Sequence, residues 1–261
     1  MVNLAYLENP DLKDRKLPTA EELPCSDETP VDNQLQNDIP NLLLSLLAFI
    51  WADSPSGDAS RRNDWFFGVD MGLYYNPDRE AIVPDGFLAV GVKRDTGERG
   101  RLSYVLWEEK ILPILTLEVI SERSNKEYED KLEDYQAIGM LYYAIYNPFS
   151  GRKGRYRNRK RLEIYKLIAG KYELLTSENN SIWLPEIGLG LGYESGEHNG
   201  WQREWLYWFD RFGKRYPTAE ERALQDRQAR LLAEALAVQE REKNERLATY
   251  LRSLEVDPDK I

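Results

Sequence analysis

The sequence predicts an α/β fold, in which a mixed β-sheet is flanked by helices and followed by a long charged C-terminal helix. Apolar residues first recur at helical spacing in residues 31–52. Aromatic and branched runs follow through residues 64–147, with one helical segment between the third and fourth runs. From Thr218 the composition changes to Glu, Arg, Ala and Leu. The first two observations indicate the sheet domain, and the third indicates the terminal helix.

The predicted domain begins with a helix and a strand. Apolar residues recur every three or four positions between Leu35 and Ile50, which is the spacing of a packed helix face. Asp32 or Asn33 is the expected N-cap, because both side chains accept hydrogen bonds from a first helical turn. After a loop rich in Ser, Gly and Asp, residues 64–76 are predicted to form one strand that bends at its glycines.

Three more strands and a second helix complete the centre of the domain. Residues 87–92 and 114–121 are apolar runs of strand length, and the second is the most buried by composition. Residues 94–110 between them are predicted to be irregular. Residues 125–139 lack Gly and Pro until the final glycine, which predicts a helix that ends there. Residues 141–147 form the fourth predicted strand, before a proline.

The following segments predict short antiparallel strands. Residues 161–168 and 171–177 lie on either side of "AG", a turn length typical of a hairpin. Residues 181–194 suggest short extended pieces. Residues 201–218 alternate aromatic side chains around "DRFG", which predicts another hairpin.

Three segments divide the chain: an extended lead-in (1–30), an α/β domain (31–217) and a charged helical tail (218–261). "TAEE" predicts a capping box at the start of the tail, with Thr218 as N-cap and Glu221 at the third position.

The apolar residues of the tail give an incomplete heptad pattern. Leu224, Leu231 and Val238 recur every seven residues, but Glu245 interrupts the series. Two interpretations stay open: a coiled coil, which would give a homodimer, and a solvated helix without a partner.

Composition excludes several classes of protein. The 261-residue chain has a formal net charge of −10, so it does not bind nucleic acid by general attraction. A single cysteine rules out an internal disulfide and indicates a reducing compartment. The sequence contains no apolar run of membrane-spanning length, and its start lacks the order of a signal peptide. "GLGLGY" lacks a phosphate-loop lysine, so no organic cofactor is expected. A cytoplasmic location without membrane attachment follows as the expectation.

Glu118 lies within the most buried predicted strand, and a buried carboxylate needs a partner. One interpretation is a structural salt bridge. The other is a metal site, in which Asp85, just before the preceding strand, meets Glu118 at one end of the sheet. Two carboxylates with water and phosphate suit Mg²⁺, with Mn²⁺ as a substitute. Lys131, on the following helix, would then orient water or stabilise charge on a phosphate.

The motifs "VDMGLYYN", "VPDGFLAVG", "ILTLEVIS" and "KLEDYQAIGMLYYAIYNP", in this order, resemble the Uma-two-like family of restriction endonucleases. This family is a branch of the PD-(D/E)XK nuclease superfamily. The resemblance covers most of residues 30–218. It implies that Asp85 and Glu118 bind the metal and that Lys131, four residues before Tyr135, is the catalytic lysine. Asp70, before an aromatic-rich run, is implied as an accessory acid.

The chain departs from the family pattern at four places. Ile120 stands where the superfamily motif has its lysine, so the lysine must come from the helix. Glu122 replaces a frequent proline and Asn147 a frequent aspartate. On the first helix, only Asp38 is available as the acid that often helps to bind metal.

The resemblance implies Mg²⁺-dependent hydrolysis of DNA phosphodiester bonds, by an enzyme that often works as a dimer. Tyr135 is expected to pack behind the lysine. The alternative is a catalytically inactive scaffold of the same fold, whose helical tail binds a partner. A further alternative is a nuclease with the same metal chemistry that acts on RNA.

The segment "GRKGRYRNRKR" at residues 151–161 holds seven basic residues and no acid. It is the most plausible phosphate-contacting part of an acidic chain. The alternative is a flexible, solvated hairpin tip. The predicted nucleic-acid contacts are Arg152, Lys153, Arg155, Arg157, Arg159 and Lys160.

Overall fold

The computed structural model describes residues 15–25, 33–52, 62–94, 97–121, 128–152, 156–177 and 179–254. Two compact units divide the chain, Met1–Tyr216 and Pro217–Ile261. The first unit is a mixed α/β structure and the second contains one long helix, so the predicted fold class is confirmed.

The elements of the first unit follow in chain order. They are α1 (Leu35–Ala52), β1 (Trp65–Val69), β2 (Leu73–Tyr74), β3 (Gly86–Val90), β4 (Tyr104–Val105), α2 (Leu106–Glu109), β5 (Leu115–Val119), α3 (Asp130–Ile138), β6 (Tyr142–Tyr146), β7 (Leu162–Ile168), β8 (Lys171–Leu174), β9 (Ser181–Leu184), β10 (Leu189–His198) and β11 (Trp201–Phe209). The second unit contains α4 (Ala219–Ser253).

The main sheet has six strands in the order β1-β3-β5-β6-β7-β8. Within this sheet, β5 and β6 are parallel neighbours, and α3 makes the crossover between them. The other neighbouring strands of this sheet are antiparallel. A three-stranded sheet, β11-β10-β9, and a two-stranded sheet, β2-β4, accompany it. The sheet is therefore mixed, as predicted.

The two faces of the main sheet bury different residues. One face, which we call the apolar face, packs against α1 and the three-stranded sheet and carries Leu88, Leu117 and Ile164. The opposite face, which we call the polar face, packs against α3 and carries Phe87 and Ile145. Successive residues of a strand point to opposite faces, so the alternation along each strand sorts the side chains into these two sets.

One sequence prediction of a strand is wrong, and one predicted hairpin is only partly formed. Residues 64–76 do not form one strand, because Asp70 adopts a positive φ of 47° and turns the chain between β1 and β2. Around "DRFG" the chain does turn back, but among the described residues only one isolated antiparallel bridge, between Phe209 and Arg215, forms there. The long pairing of β11 is with β10, through the turn at Asn199-Gly200, whose φ angles of 53° and 77° suit a tight hairpin turn.

Smaller differences concern a loop and a turn. The predicted irregular segment 94–110 contains β4 and α2. The hairpin between β7 and β8 is confirmed, with Ala169 and Gly170 at positive φ in its turn.

Helix ends follow the predicted residues where the structure describes them. Asn33 accepts a hydrogen bond from the backbone N–H of Leu35 at 2.9 Å, while Asp32 lies outside the described residues. Gly139 ends α3 with a φ of 93°. Thr218 and Glu221 form the predicted capping box of α4.

The second unit is an exposed helix. None of the residues of α4 is buried, and its leucines are largely in solvent. The coiled coil stays a prediction. No helix within the described ranges combines the length and apolarity that crossing a bilayer requires.

Candidate metal and nuclease site

The strand register brings the predicted acids into one row. β3 and β5 pair with Gly86 opposite Leu117, so the next position along the ladder places Asp85 opposite Glu118. Cross-strand neighbours project from the same face with Cβ atoms about 5 Å apart. The two carboxylates, 33 residues apart in the sequence, therefore meet at one end of the sheet, on its polar face.

Asp70 extends this row to the edge strand. Val69 lies opposite Gly86, and the backbone N–H of Asp70 donates to the carbonyl oxygen of Asp85 at 3.3 Å. Asp70 itself is exposed, and its positive φ takes it out of the extended strand conformation. The structure therefore brings the backbone of Asp70 to Asp85.

Glu118 is held by two residues of α3. The Lys131 Nζ donates to Oε2 at 2.6 Å, and the Tyr135 hydroxyl donates to Oε1 at 2.7 Å. The Glu118 side chain is 1% exposed and that of Lys131 is 31% exposed. Because residues 131 and 135 are one helical turn apart, both reach the same carboxylate.

Asp85 is buried and accepts two hydrogen bonds. Its Oδ2 accepts from the backbone N–H of Val119 at 2.6 Å, and its Oδ1 accepts from the Gln36 side chain at 3.2 Å. Burial and then the nearby charge of Glu118 raise the pKa of Asp85 well above its usual range, although both hydrogen bonds act in the opposite direction. Burial is therefore the main reason why this carboxyl group favours its protonated form.

Tyr135 stays a hydrogen-bond donor at all ordinary pH values. Complete burial and the Glu118 charge raise the pKa of its hydroxyl well above the usual range. Sequence analysis placed Tyr135 behind Lys131 as a packing residue. Tyr135 is indeed packed in the core of the polar face, and its hydroxyl in addition contacts the Glu118 carboxylate directly.

Two contacts of the site were missed from the sequence. Gln36 lies in the first turn of α1 and contacts Asp85, whereas the sequence pointed only to an acid on this helix, Asp38. The side chain of Asp38 accepts a hydrogen bond from the side chain of Gln34. The hydroxyl of Tyr135 had a local signal in its spacing from Lys131. Gln36 had none, because its contact with Asp85 spans 49 residues.

The basic segment is partly described. Four of its predicted contacts are exposed: Arg152, Arg157, Arg159 and Lys160. The other two, Lys153 and Arg155, lie outside the described residues. The same is true of Glu122, which precedes α3. Hydrogen bonds tie the two ends of the segment together: Gly151 donates to the Arg157 carbonyl at 2.9 Å, and the Asn147 side chain donates to the Tyr156 carbonyl at 2.9 Å. These described ends form hydrogen-bonded turns.

The donor set fits a hard divalent cation. Within the described ranges, no three His, Cys, Asp or Glu residues are grouped as metal ligands. Asp85 and Glu118 are a pair, and Mg²⁺ is commonly bound by one or two carboxylates, with waters and substrate phosphates as its other ligands.

A mixed sheet that carries paired acids and a helix lysine defines the general class of nuclease-like α/β domains. The chain belongs to the Uma2 family, whose model, described as "Putative restriction endonuclease", matches residues 27–194. This match spans more than half of the 261-residue chain. No curated protein shows a significant match.

Proposed function

We propose that the protein is a Mg²⁺-dependent endonuclease that hydrolyses phosphodiester bonds in DNA. The observation that carries this proposal is the meeting of Asp85 and Glu118 on adjacent strands, with the Lys131 ammonium 2.6 Å from Glu118. Family membership supports the nuclease class. The metal, the substrate and the residue roles are part of the proposal.

Each side chain would have a distinct role. Asp85 and Glu118 would hold the cation, which supplies Lewis acidity at the scissile phosphate when bound. Lys131 is close to Glu118 and partly exposed, so its ammonium would orient the attacking water and stabilise charge that develops on the phosphate. Tyr135 and Gln36 would fix the orientation of the two carboxylates through their hydrogen bonds.

The lysine also explains how a buried acid is tolerated before metal binds. Glu118 is almost completely buried, and a lone charge there would be strongly destabilising. The Lys131 ammonium balances that charge in the metal-free protein. With Glu118 as a metal ligand, the partly exposed Lys131 would be available for contact with water or phosphate.

The proposal includes a cytoplasmic enzyme with DNA as its partner and a homodimer as its assembly. The basic segment between β6 and β7 would supply phosphate contacts, because it lies at the end of β6 that is level with Glu118 in β5. The exposed leucines of α4 favour pairing with a second copy.

A second candidate is an inactive scaffold of the same fold. Two observations favour it: the described acids provide a pair rather than a larger ligand set, and α4 exposes Leu224, Leu231 and Leu232. In this case, α4 would bind a protein partner, and Lys131 would serve only to neutralise Glu118.

Plasmid nicking in Mg²⁺ separates the two candidates. We expect wild type to nick, and Asp85→Asn, Glu118→Gln and Lys131→Ala each to lose activity by about 100-fold or more. The matched control is Asp64→Asn, which removes a carboxylate that pairs with Arg62 just before the start of β1 and should keep activity. Circular dichroism would check that all variants fold.

The same background rate in wild type and in all variants would refute the enzyme and favour the scaffold. Competition between matched DNA and RNA substrates would test the choice of DNA. Faster cleavage of RNA would assign the same metal chemistry to a ribonuclease.

A further inference from the structure

A third buried carboxylate, Glu163, lies on the polar face beside the proposed metal pair. Glu118 pairs with Ile145, and Ile145 pairs with Glu163, so the three residues form one cross-strand row. Glu163 is therefore two strands from Glu118, which corresponds to a separation of about 9–10 Å. The proposed chemistry does not use Glu163.

Arg159 is held against this carboxylate and an aromatic ring. Its guanidinium lies 3.8 Å from Glu163 Oε2 and its Cζ lies 4.3 Å from the ring centroid of Tyr128. The Tyr165 hydroxyl donates to the same Glu163 oxygen at 2.8 Å. An arginine that both pairs with an acid and stacks on a ring is oriented more narrowly than a solvated side chain.

The main chain of Arg159 is fixed as well. Its N–H donates to the Tyr156 carbonyl at 3.0 Å, and its carbonyl accepts from the Ser150 hydroxyl at 2.7 Å. The side chain is nevertheless 48% exposed, whereas that of Glu163 is 5% exposed. The guanidinium is thus anchored on one side and open to solvent on the other.

The cluster does not look like a closed structural network. The contact between Arg159 and Glu163 is longer than a hydrogen bond, so the guanidinium keeps donors for another acceptor. The Tyr128 hydroxyl is buried, and within the part of the chain that the structure describes it has no hydrogen-bond partner.

We infer that Arg159, oriented by Glu163 and Tyr128, binds a backbone phosphate of DNA beside the scissile one. This inference rests on the proposed function and makes Arg159 a positioning residue. Glu163, which orients Arg159, is about 9–10 Å from Glu118 across two strand spacings, so the phosphate that Arg159 contacts would be close to the scissile phosphate but distinct from it. Arg159 would therefore set where along a strand the metal pair meets the backbone.

Binding of a short labelled DNA duplex to the full chain, with chelator present to prevent cleavage, tests the inference. The measurement is fluorescence anisotropy between about 50 and 200 mM salt. We expect Arg159→Ala to weaken binding roughly tenfold and to lower the slope of log affinity against log salt by about 1. Arg159→Lys, which keeps the charge, should retain the slope.

Arg157→Ala is the matched control, because it removes the same charge from the same segment. Arg157 is exposed, and its described hydrogen bond is through its main chain. We expect a smaller loss of affinity for this variant. Glu163→Gln should weaken binding, because the Arg159 guanidinium would be less ordered. The slope of log affinity against log salt should not change in this variant.

Equal losses for Arg159→Ala and Arg157→Ala would overturn the inference, as would an unchanged slope in Arg159→Ala. If Arg159→Ala unfolds, Arg159→Lys and Glu163→Gln carry the test. Failure of wild type to nick plasmid in Mg²⁺ would instead refute the proposed function. If wild type nicks plasmid but Arg159→Ala and Arg157→Ala lose equal affinity for DNA, only the role of Arg159 is refuted.

Discussion

The two faces of the main sheet have opposite chemical character. The apolar face buries leucine, isoleucine and aromatic side chains between the sheet, α1 and the three-stranded sheet. The polar face buries Asp85, Glu118 and Glu163, together with a group of tyrosines under α3. Among the residues that the structure describes, the buried carboxylates all lie on the polar face.

This difference separates two tasks. Burial of apolar surface stabilises the fold at about 25 cal/mol per Å² and requires no specific partner. Buried carboxylates are unfavourable until they are paired, so their presence indicates a function that stability does not explain. The apolar face therefore supports a polar face on which each buried carboxylate depends on specific partners.

The largest expected effect lies on the apolar face. Leu43→Ala should lower the free energy of unfolding by about 3 kcal/mol, because this fully buried side chain of α1 would leave a cavity. Denaturant unfolding measures the change. Leu232→Ala, at a position that is 63% exposed in α4, is the control and should change stability by less than about 0.5 kcal/mol. Equal effects would contradict the assignment of the core.

Removal of the lysine on the polar face should have the next largest effect. Lys131→Ala should lower stability by about 2 kcal/mol in chelator, because Glu118 would stay buried without its cation. The double variant Lys131→Ala with Glu118→Gln should recover most of this loss, since neither charge remains. Lys166→Ala, which breaks a surface pair with Glu186, is the control, and its cost should be under about 1 kcal/mol. No recovery in the double variant would show that the pair does not act as a unit.

A pair of tyrosine substitutions compares satisfied and unsatisfied hydroxyls on the same face. Tyr135→Phe should cost about 1–2 kcal/mol, because Glu118 loses a donor at 2.7 Å. Tyr128→Phe should be close to neutral, because its hydroxyl has no hydrogen-bond partner within the described residues. Thermal unfolding of both variants measures the difference, and similar values would contradict the assigned contacts.

The smallest expected effect is a gain in stability. Asp85→Asn should raise the free energy of unfolding at pH 7 in chelator by about 0.5–2 kcal/mol. The pKa of Asp85 is higher in the folded protein than in the unfolded chain, so the protonated carboxyl group contributes to stability below about pH 4. This contribution is lost as the pH rises through the pKa that Asp85 has in the folded protein. The advantage of Asp85→Asn should therefore grow from about pH 4 upward.

Unfolding curves at several pH values check the Asp85 prediction, with Asp64→Asn as the control. Asp64 has a lowered pKa because of Arg62, so its removal should not stabilise the protein at neutral pH. An advantage of Asp85→Asn that shrinks with rising pH would contradict the assigned direction. Mg²⁺ should stabilise wild type more than Asp85→Asn if the cation binds this carboxylate.

Local patterns predicted most of the elements correctly. The capping box at Thr218, the glycine that ends α3 and the turn between β7 and β8 depend on residues a few positions apart. The errors arose where a single backbone angle or a choice between turns decided the outcome. Asp70 divides β1 from β2, and the Asn199-Gly200 turn pairs β11 with β10.

Sequence analysis predicted that Asp85 and Glu118 meet at one end of the sheet if their strands are neighbours, and the strand pairing itself came from the structure. The sequence by itself determined a mixed α/β domain, a charged terminal helix and a lysine one turn before a tyrosine. Only the tertiary structure placed Asp85 opposite Glu118, brought Gln36 to Asp85 and aligned Glu163 with the same row. The physical reason is that side-chain periodicity is a local property of the chain. Strand register, in contrast, is set by packing between segments far apart in sequence.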